Sequence, residues 1–223
     1  SQHVVTARIY AGRDFKFRKA CPEIPNTTYL THKLHAYPAK FIPQIPRWFL
    51  REYGNTGGTM LDPFCGSGTA LVEANMLGIH ALGVDINPLT RLLLRAKTEL
   101  VEHPDDFAHR CLQAVERARE HPPDYTPEIP NYETWFMPQA REELARIFGY
   151  LLTNPDDLPD AVRDFMLVCA SASVRKVCNA DPQISKPFVS RQMRTRIEAG
   201  TVEQRALRIF DRTTRTFLDR KIK

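Results

Sequence analysis

No run in this sequence is long and apolar enough to cross a bilayer as a helix, and Ser1–Val5 has none of the features of a signal peptide, so no membrane anchor is expected. Cysteine is scarce and unpaired by pattern. Cys21, Cys65, Cys111, Cys169 and Cys178 are odd in number and form no Cys-x-x-Cys, which argues against a disulfide framework and for a reducing, cytoplasmic setting. His32 and His35 lie three apart without clustered cysteines or acids, so no metal site is expected. Strand patterns are equally few: only Thr59–Leu61 and His80–Val84 read as apolar strands, although the length suffices for a real core.

Glycine is thin as well, ten residues in all, yet two fall together in Asp62-Pro63-Phe64-Cys65-Gly66-Ser67-Gly68-Thr69. A strand that turns sharply into a helix while leaving its backbone open to a ligand needs residues without a Cβ, and Gly66 and Gly68 supply them. Thr59-Met60-Leu61 leads in, and Ala70–Leu77 reads as a helix that Gly78 stops. The second strand ends at Asp85, 19 positions after Gly66, about the spacing at which a carboxylate meets a ribose diol. What the loop lacks then sorts the cofactors. No Lys-Ser or Lys-Thr follows Gly68, which argues against a triphosphate loop, and Leu71 stands where a dinucleotide fingerprint has its third small residue, which weakens NAD. A nucleoside cofactor, S-adenosylmethionine first, is the expectation.

These residues have a family likeness. Asp62–Thr69 followed by Gly83-Val84-Asp85-Ile86-Asn87-Pro88 resembles motifs one and two of the amino-methyltransferases that act on DNA. His35-Ala36-Tyr37-Pro38-Ala39-Lys40-Phe41-Ile42-Pro43 resembles their tenth motif, placed ahead of motif one as in the permuted enzymes. The resemblance is strong from Thr31 to Lys97 and weaker from Arg175 to Met193. It implies an α/β fold, an incomplete Rossmann-like methyltransferase sheet with a large helical insertion. The implied cofactor-binding set is Tyr37, Pro38, Ala39, Lys40, Phe41, Asp62, Pro63, Phe64, Cys65, Gly66, Ser67, Gly68, Thr69, Asp85, Ile86 and Asn87. Within it, the resemblance puts Lys40 and Phe41 near the methionine carboxylate, Asp62 near its ammonium, Phe64–Thr69 around the amino-acid part, Asp85 on the ribose and Ile86 against the adenine. These pairings make chemical sense, a lysine for a carboxylate and carboxylates for an ammonium and a diol. The loop also resembles that of RNA guanine methyltransferases, and a non-catalytic regulatory or DNA-binding subunit is a third reading. The motif ahead of the loop argues for DNA, and the intact Asp62, Gly66, Gly68 and Asp85 argue for a working cofactor site.

The resemblance sharpens one absence. Such enzymes receive a flipped base on Asp, Ser or Asn followed by Pro-Pro and an aromatic residue, whose acceptors hold the exocyclic amino group while the ring stacks. The one Pro-Pro pair here, in His121-Pro122-Pro123-Asp124-Tyr125, has His121 in place of the acceptor and Asp124 ahead of the ring, and is expected to end a helix. Asp181-Pro182-Gln183-Ile184 and Ser185-Lys186-Pro187-Phe188 have no adjacent prolines. No catalytic residue is therefore expected in this chain. It reads as the N-terminal, cofactor-binding half of a DNA methyltransferase, with the base motif on a second polypeptide or a C-terminal half, and cytosine N4 preferred to adenine N6 as target.

The remainder reads helical. Asp105–Glu120, Gln139–Leu152 and Asp160–Cys178 each carry an apolar stripe, and proline-rich Pro122–Pro138 between the first two is expected to be an ordered loop held by Trp135 and Phe136. A final helix is expected over Val202–Arg220. From Ser185 onward eleven basic residues face four acids, a net +7, so the preceding chain sums to −2. That segment is a candidate contact for double-stranded DNA, through Arg191, Arg194 and Arg196, or a solvated face. Arg13-Asp14-Phe15-Lys16-Phe17-Arg18 is another basic and aromatic stretch, a DNA contact or an edge segment. The expected division is an N-terminal extension over 1–30, the cofactor part over 31–100, a helical insertion over 101–200 and the basic helix over 201–223.

Overall fold

A computed structural model describes residues 21–24, 26–37, 40–182 and 187–222. Expectations for Arg13–Arg18, for Pro38 and Ala39, and for Gln183–Lys186 fall outside the described residues.

Among the described residues the chain is mixed α/β and mostly helical. A single 3-10 turn at Leu30–Lys33 precedes helix α1 (Gln44–Tyr53), which was not singled out in the sequence. Then come strand β1 (Thr59–Asp62), helix α2 (Thr69–Met76), strand β2 (His80–Gly83) and helix α3 (Pro88–Thr98). The strand–loop–helix–strand order is as expected, and β1 and β2 pair in parallel with Thr59 opposite His80 and Asp62 opposite Gly83. Gly68 adopts φ +75° as the residue before α2, the left-handed backbone that favours glycine. A Cβ there would also meet Leu94 Cδ2 of α3 at 2.1 Å, so the missing side chain lets α3 close under the loop. Asn87 caps α3, its side chain accepting from the Leu89 amide at 3.0 Å, with Pro88 at the first helical position.

The long helices are α4 (Pro104–Glu120), α6 (Pro138–Thr153), α7 (Asp160–Val177) and α9 (Ala206–Lys221), with a short turn α5 (Tyr132–Trp135) and helix α8 (Arg191–Glu198) between them. Their stripes fall inward as the periodicity predicts: Phe107, Cys111, Ala114, Val115 and Ala118 of α4 are buried, as are Leu144, Ile147 and Leu151 of α6 and Val162, Phe165, Met166 and Cys169 of α7. Phe107 meets Phe165 edge to face with centroids 5.3 Å apart. The Pro122–Pro138 stretch is anchored as expected, with Phe136 buried and the Trp135 carbonyl accepting from the Asn179 amide at 2.8 Å.

The last helix begins later than the Val202 expected. The Glu143 carboxylate of α6 accepts from the Leu207 amide at 2.8 Å, filling an open donor in the first turn and fixing the start at Ala206. α9 buries Leu207, Ile209, Phe210, Phe217 and Leu218 in the same core as α4, α6 and α7, and turns Arg208, Arg212 and Arg215 outward.

The sheet is covered on one side. Met60 and Ala81 pack on a small cluster of Leu50 from α1, Ala74 from α2 and Ile79. On the opposite face the paired Leu61 and Leu82 are 62% and 59% exposed. Among the described residues, neither strand has a further neighbour on its outer edge.

Candidate functional site

The loop between β1 and α2 is tied to the end of β2 by backbone and by one carboxylate. Val84 donates its amide to the Asp62 carbonyl at 2.9 Å, and Cys65 donates to the Val84 carbonyl at 3.0 Å, so the sheet pairing runs on into the loop. Asp85 then accepts from the Gly66 amide at 2.8 Å and, with its other oxygen, from the Asn87 amide at 2.9 Å. These amide bonds, Asn87 first and Gly66 second, hold the Asp85 carboxyl below its ordinary pKa and keep it anionic. The Thr90 hydroxyl adds to this effect, and since an ionised carboxylate has about four acceptor positions, capacity remains for a ligand.

Tyr37 brings the segment ahead of the loop into place. Its ring lies where a Cβ on Gly66 would come within 3.2 Å, and its hydroxyl lies 3.4 Å from Thr90 Oγ1 and 3.5 Å from Asn87 Nδ2. Gly66 itself sits at φ +49°. Lys40 is nearby in sequence and donates to the His32 carbonyl at 3.0 Å. Phe41, Phe64 and Ile86 are all exposed, Ile86 completely, so the apolar members of the expected set are open to solvent. Asp62 Oδ1 accepts from the Phe64 amide at 3.1 Å, and Pro63 is exposed at the same turn. Ser67 and Thr69 are buried with hydroxyls 3.5 Å apart. Cys65 is buried, and burial followed by the charges of Asp62 and Asp85 raises its thiol pKa, which suits a packing residue and not a nucleophile.

Two features were missed in the sequence. The first is a buried polar cluster. Glu73 of α2, fully buried, accepts from the Tyr29 hydroxyl, contacts His32 Nε2 at 2.7 Å and lies 3.3 Å from Arg47 Nη1. His32 therefore does have an acidic partner, brought from 41 residues away, although no metal-holding group occurs among the described residues. The signal was a glutamate at an inward position of the apolar stretch Ala70–Leu77. The second is Lys97, 5% exposed, whose ammonium donates to the Ser67 carbonyl at 2.6 Å. Burial, with the charge of Lys40 added, lowers its pKa to about 8. Thr90, Leu93, Ala96 and Lys97 form the buried stripe of α3, so a lysine in register with apolar positions was the readable sign.

The expected DNA-contacting arginines are elsewhere, on α8. Arg191, Arg194 and Arg196 are exposed, while Met193 between them is buried. A separate apolar cavity of about 130 Å³, lined by Tyr125, Tyr132, Phe136 and Phe148 among others, lies in the helical part.

The glycine loop, the acid at the second strand and the tyrosine ahead of both thus converge on one place. A family model described as DNA methylase matches residues 9–91, which takes in all three. Across these residues the chain is similar to the DNA methylases. Among curated relatives, the type II methyltransferase M.MvaI of Kocuria varians is 31% identical over 166 residues, 69% of this chain and 36% of its own. The type II methyltransferase M.MjaII of Methanocaldococcus jannaschii is 43% identical over 68 residues, 30% of this chain and 13% of its own. A tRNA (guanine(10)-N2)-dimethyltransferase of Methanothermobacter thermautotrophicus is 38% identical over 52 residues, 23% of this chain and 16% of its own. The chain spans about a third of the first relative's length and less of the others. No solved structure matches it.

Proposed function

We propose that this chain is the S-adenosylmethionine-binding portion of a site-specific DNA methyltransferase that modifies an exocyclic amino group, cytosine N4 in preference to adenine N6. The observation that carries the proposal is Asp85, whose two oxygens join the loop amide of Gly66 to the Asn87 amide and keep acceptor capacity beside a loop lined by Tyr37. The residues fit the cofactor. Asp85 suits the ribose diol, Asp62 the ammonium, Lys40 the carboxylate and exposed Ile86 the adenine face, with Tyr37–Phe41 and Pro63–Thr69 completing the enclosure and Asn87 bracing its far side. S-adenosylmethionine supplies a methyl group already activated by its sulfonium. What this chain does is hold and orient: transfer to a positioned amine is a direct displacement, in which geometry provides much of the rate and no cysteine adduct is needed.

The acceptor motif for the base is absent from these 223 residues. In our reading it belongs to a second polypeptide or a C-terminal half, which completes a Rossmann-like sheet on the bare Leu61–Leu82 face and the outer edge of β1. The basic run on α8 and α9 supports a contact with double-stranded DNA. The test is calorimetry and methyl transfer together. Purified chain is expected to bind S-adenosylmethionine, Asp85→Ala to bind at least about tenfold more weakly, consistent with loss of a charge-assisted contact, and the chain alone to methylate no DNA. Absence of binding, or equal binding by Asp85→Ala, would favour a non-catalytic subunit; robust methylation by the chain alone would overturn the division of labour. Mass spectrometry of DNA modified by the completed enzyme decides between N4-methylcytosine and N6-methyladenine.

A second reading, methylation of guanine in RNA, is favoured by the tRNA-modifying relative. The Tyr37 segment seated on the loop favours DNA, and methyl incorporation into DNA against tRNA by the completed enzyme separates the two.

A further inference from the structure

Among the described residues, two deeply buried acids have basic partners. Glu73 has His32 and Arg47, and Asp164 has Arg95 at 3.0 Å. Lys97 is as deeply buried, yet among the described residues no carboxylate lies within ion-pair distance of it. Its ammonium has three donors, one of which goes to a neutral carbonyl, that of Ser67 at 2.6 Å. The charge that acts on it is another cation, Lys40, which donates to the His32 carbonyl. Two ammonium groups supported by carbonyls and repelling each other form an arrangement that a buried site tolerates poorly by itself. An anion placed between them would relieve both.

The location restricts that anion. Ser67 lies between the two glycines of the loop, and its carbonyl is the acceptor held by Lys97. A group reaching Lys97 therefore enters at the loop, where the proposed cofactor has one negative group, the carboxylate of its amino-acid part. We propose that Lys97 is a second carboxylate-binding residue of the cofactor site, which takes the α-carboxylate of S-adenosylmethionine together with Lys40 while bracing the Ser67 carbonyl. This rests on the cofactor reading above. It assigns α3, which supports the glycine loop from behind, a direct part in selecting ligands that carry an amino-acid tail. Nucleosides without that tail gain nothing from Lys97.

The test compares ligands with and without the carboxylate. Calorimetry on the full chain uses S-adenosylmethionine, its decarboxylated form and 5′-methylthioadenosine, with wild type, Lys97→Met and Lys97→Arg. Wild type is expected to prefer S-adenosylmethionine over the decarboxylated form by about tenfold or more, the range of one charge-assisted hydrogen bond. Lys97→Met, with Lys40 still present, should lose most of that preference and leave 5′-methylthioadenosine within about twofold of wild type. Lys97→Arg should recover part of the preference. Equal affinities of wild type for the two forms overturn the proposal without any variant. Parallel loss of all three ligands in Lys97→Met overturns it too, since Lys97 would then only brace the loop. If wild type binds none of them, the cofactor reading itself fails.

Discussion

Phe165 and Leu61 are both large apolar side chains on regular elements, and their surroundings differ completely. Phe165 of α7 is sealed in the core that α3, α4, α6, α7 and α9 share, with no exposed surface, whereas Leu61 stands on a strand with 62% of its surface exposed beside an equally open Leu82. The helical region closes over its own core. The sheet region closes on one side only, where Met60 and Ala81 meet α1 and α2. Parallel strands are ordinarily covered on both faces, and two strands alone are marginal. The contrast teaches where this chain is self-sufficient and where it is prepared for contact: the glycine loop, the structure most closely tied to the proposed cofactor, sits at the margin between the two.

The largest effects should come from reversing that contrast. Phe165→Ala is expected to cost about 3–5 kcal/mol in urea unfolding, and Leu61→Ala less than about 0.5 kcal/mol in the chain alone. Leu61→Asp should leave the isolated chain folded and abolish methylation restored by the complementing portion; a large loss of stability from Leu61→Ala would erase the contrast. Next, Glu73→Ala leaves His32 and Arg47 without their buried acid and should cost about 3–5 kcal/mol by thermal melting. A loss below about 1 kcal/mol would show that the cluster does not hold the two parts together.

Smaller and opposite in sign is the effect of Lys97. Its folded pKa of about 8 lies below the ordinary 10.5, so between those values the unfolded chain binds more protons than the folded one. Stability from this group therefore rises with pH across roughly 8 to 10.5, by at most about 3 kcal/mol, and burying its charge is a cost below pH 8. Lys221 also titrates near 8, beside the Glu99 carbonyl, so the comparison must be with Lys97→Met, whose stability profile should be flatter and higher at pH 7. A steeper profile for Lys97→Met would reject this assignment. The smallest effect on folding belongs to the exposed arginines. Arg191→Gln, Arg194→Gln and Arg196→Gln should each change stability by less than about 0.5 kcal/mol, and each should lower the salt slope of DNA binding by about 1 if it meets a phosphate. Unchanged slopes would return α8 to a solvated face.

Much of this was readable because it depends on local pattern. Gly66, Gly68 and Asp85 announce their geometry through spacing, and the inward stripes of α4, α6 and α7 follow from a 3.6-residue period. The start of α9 was not readable, since it is set by Glu143 from 64 positions upstream. Glu73 and Lys97 were passed over for the same reason: each is a charge within an apolar stretch, and its significance comes from partners that only folding supplies. The bare face of β1 and β2 was half visible, in the scarcity of strands.

The buried Glu73 has one more consequence. The stretch bearing Tyr29, His32 and Arg47 reaches α2 through space, by side chains that converge on a single carboxylate, and not through the peptide that happens to join them. An attachment of that kind is indifferent to the order in which a gene spells its parts. The same stretch could be stitched to the other end of a polypeptide, or supplied on a separate one, and still find its seat, provided the glutamate waits for it.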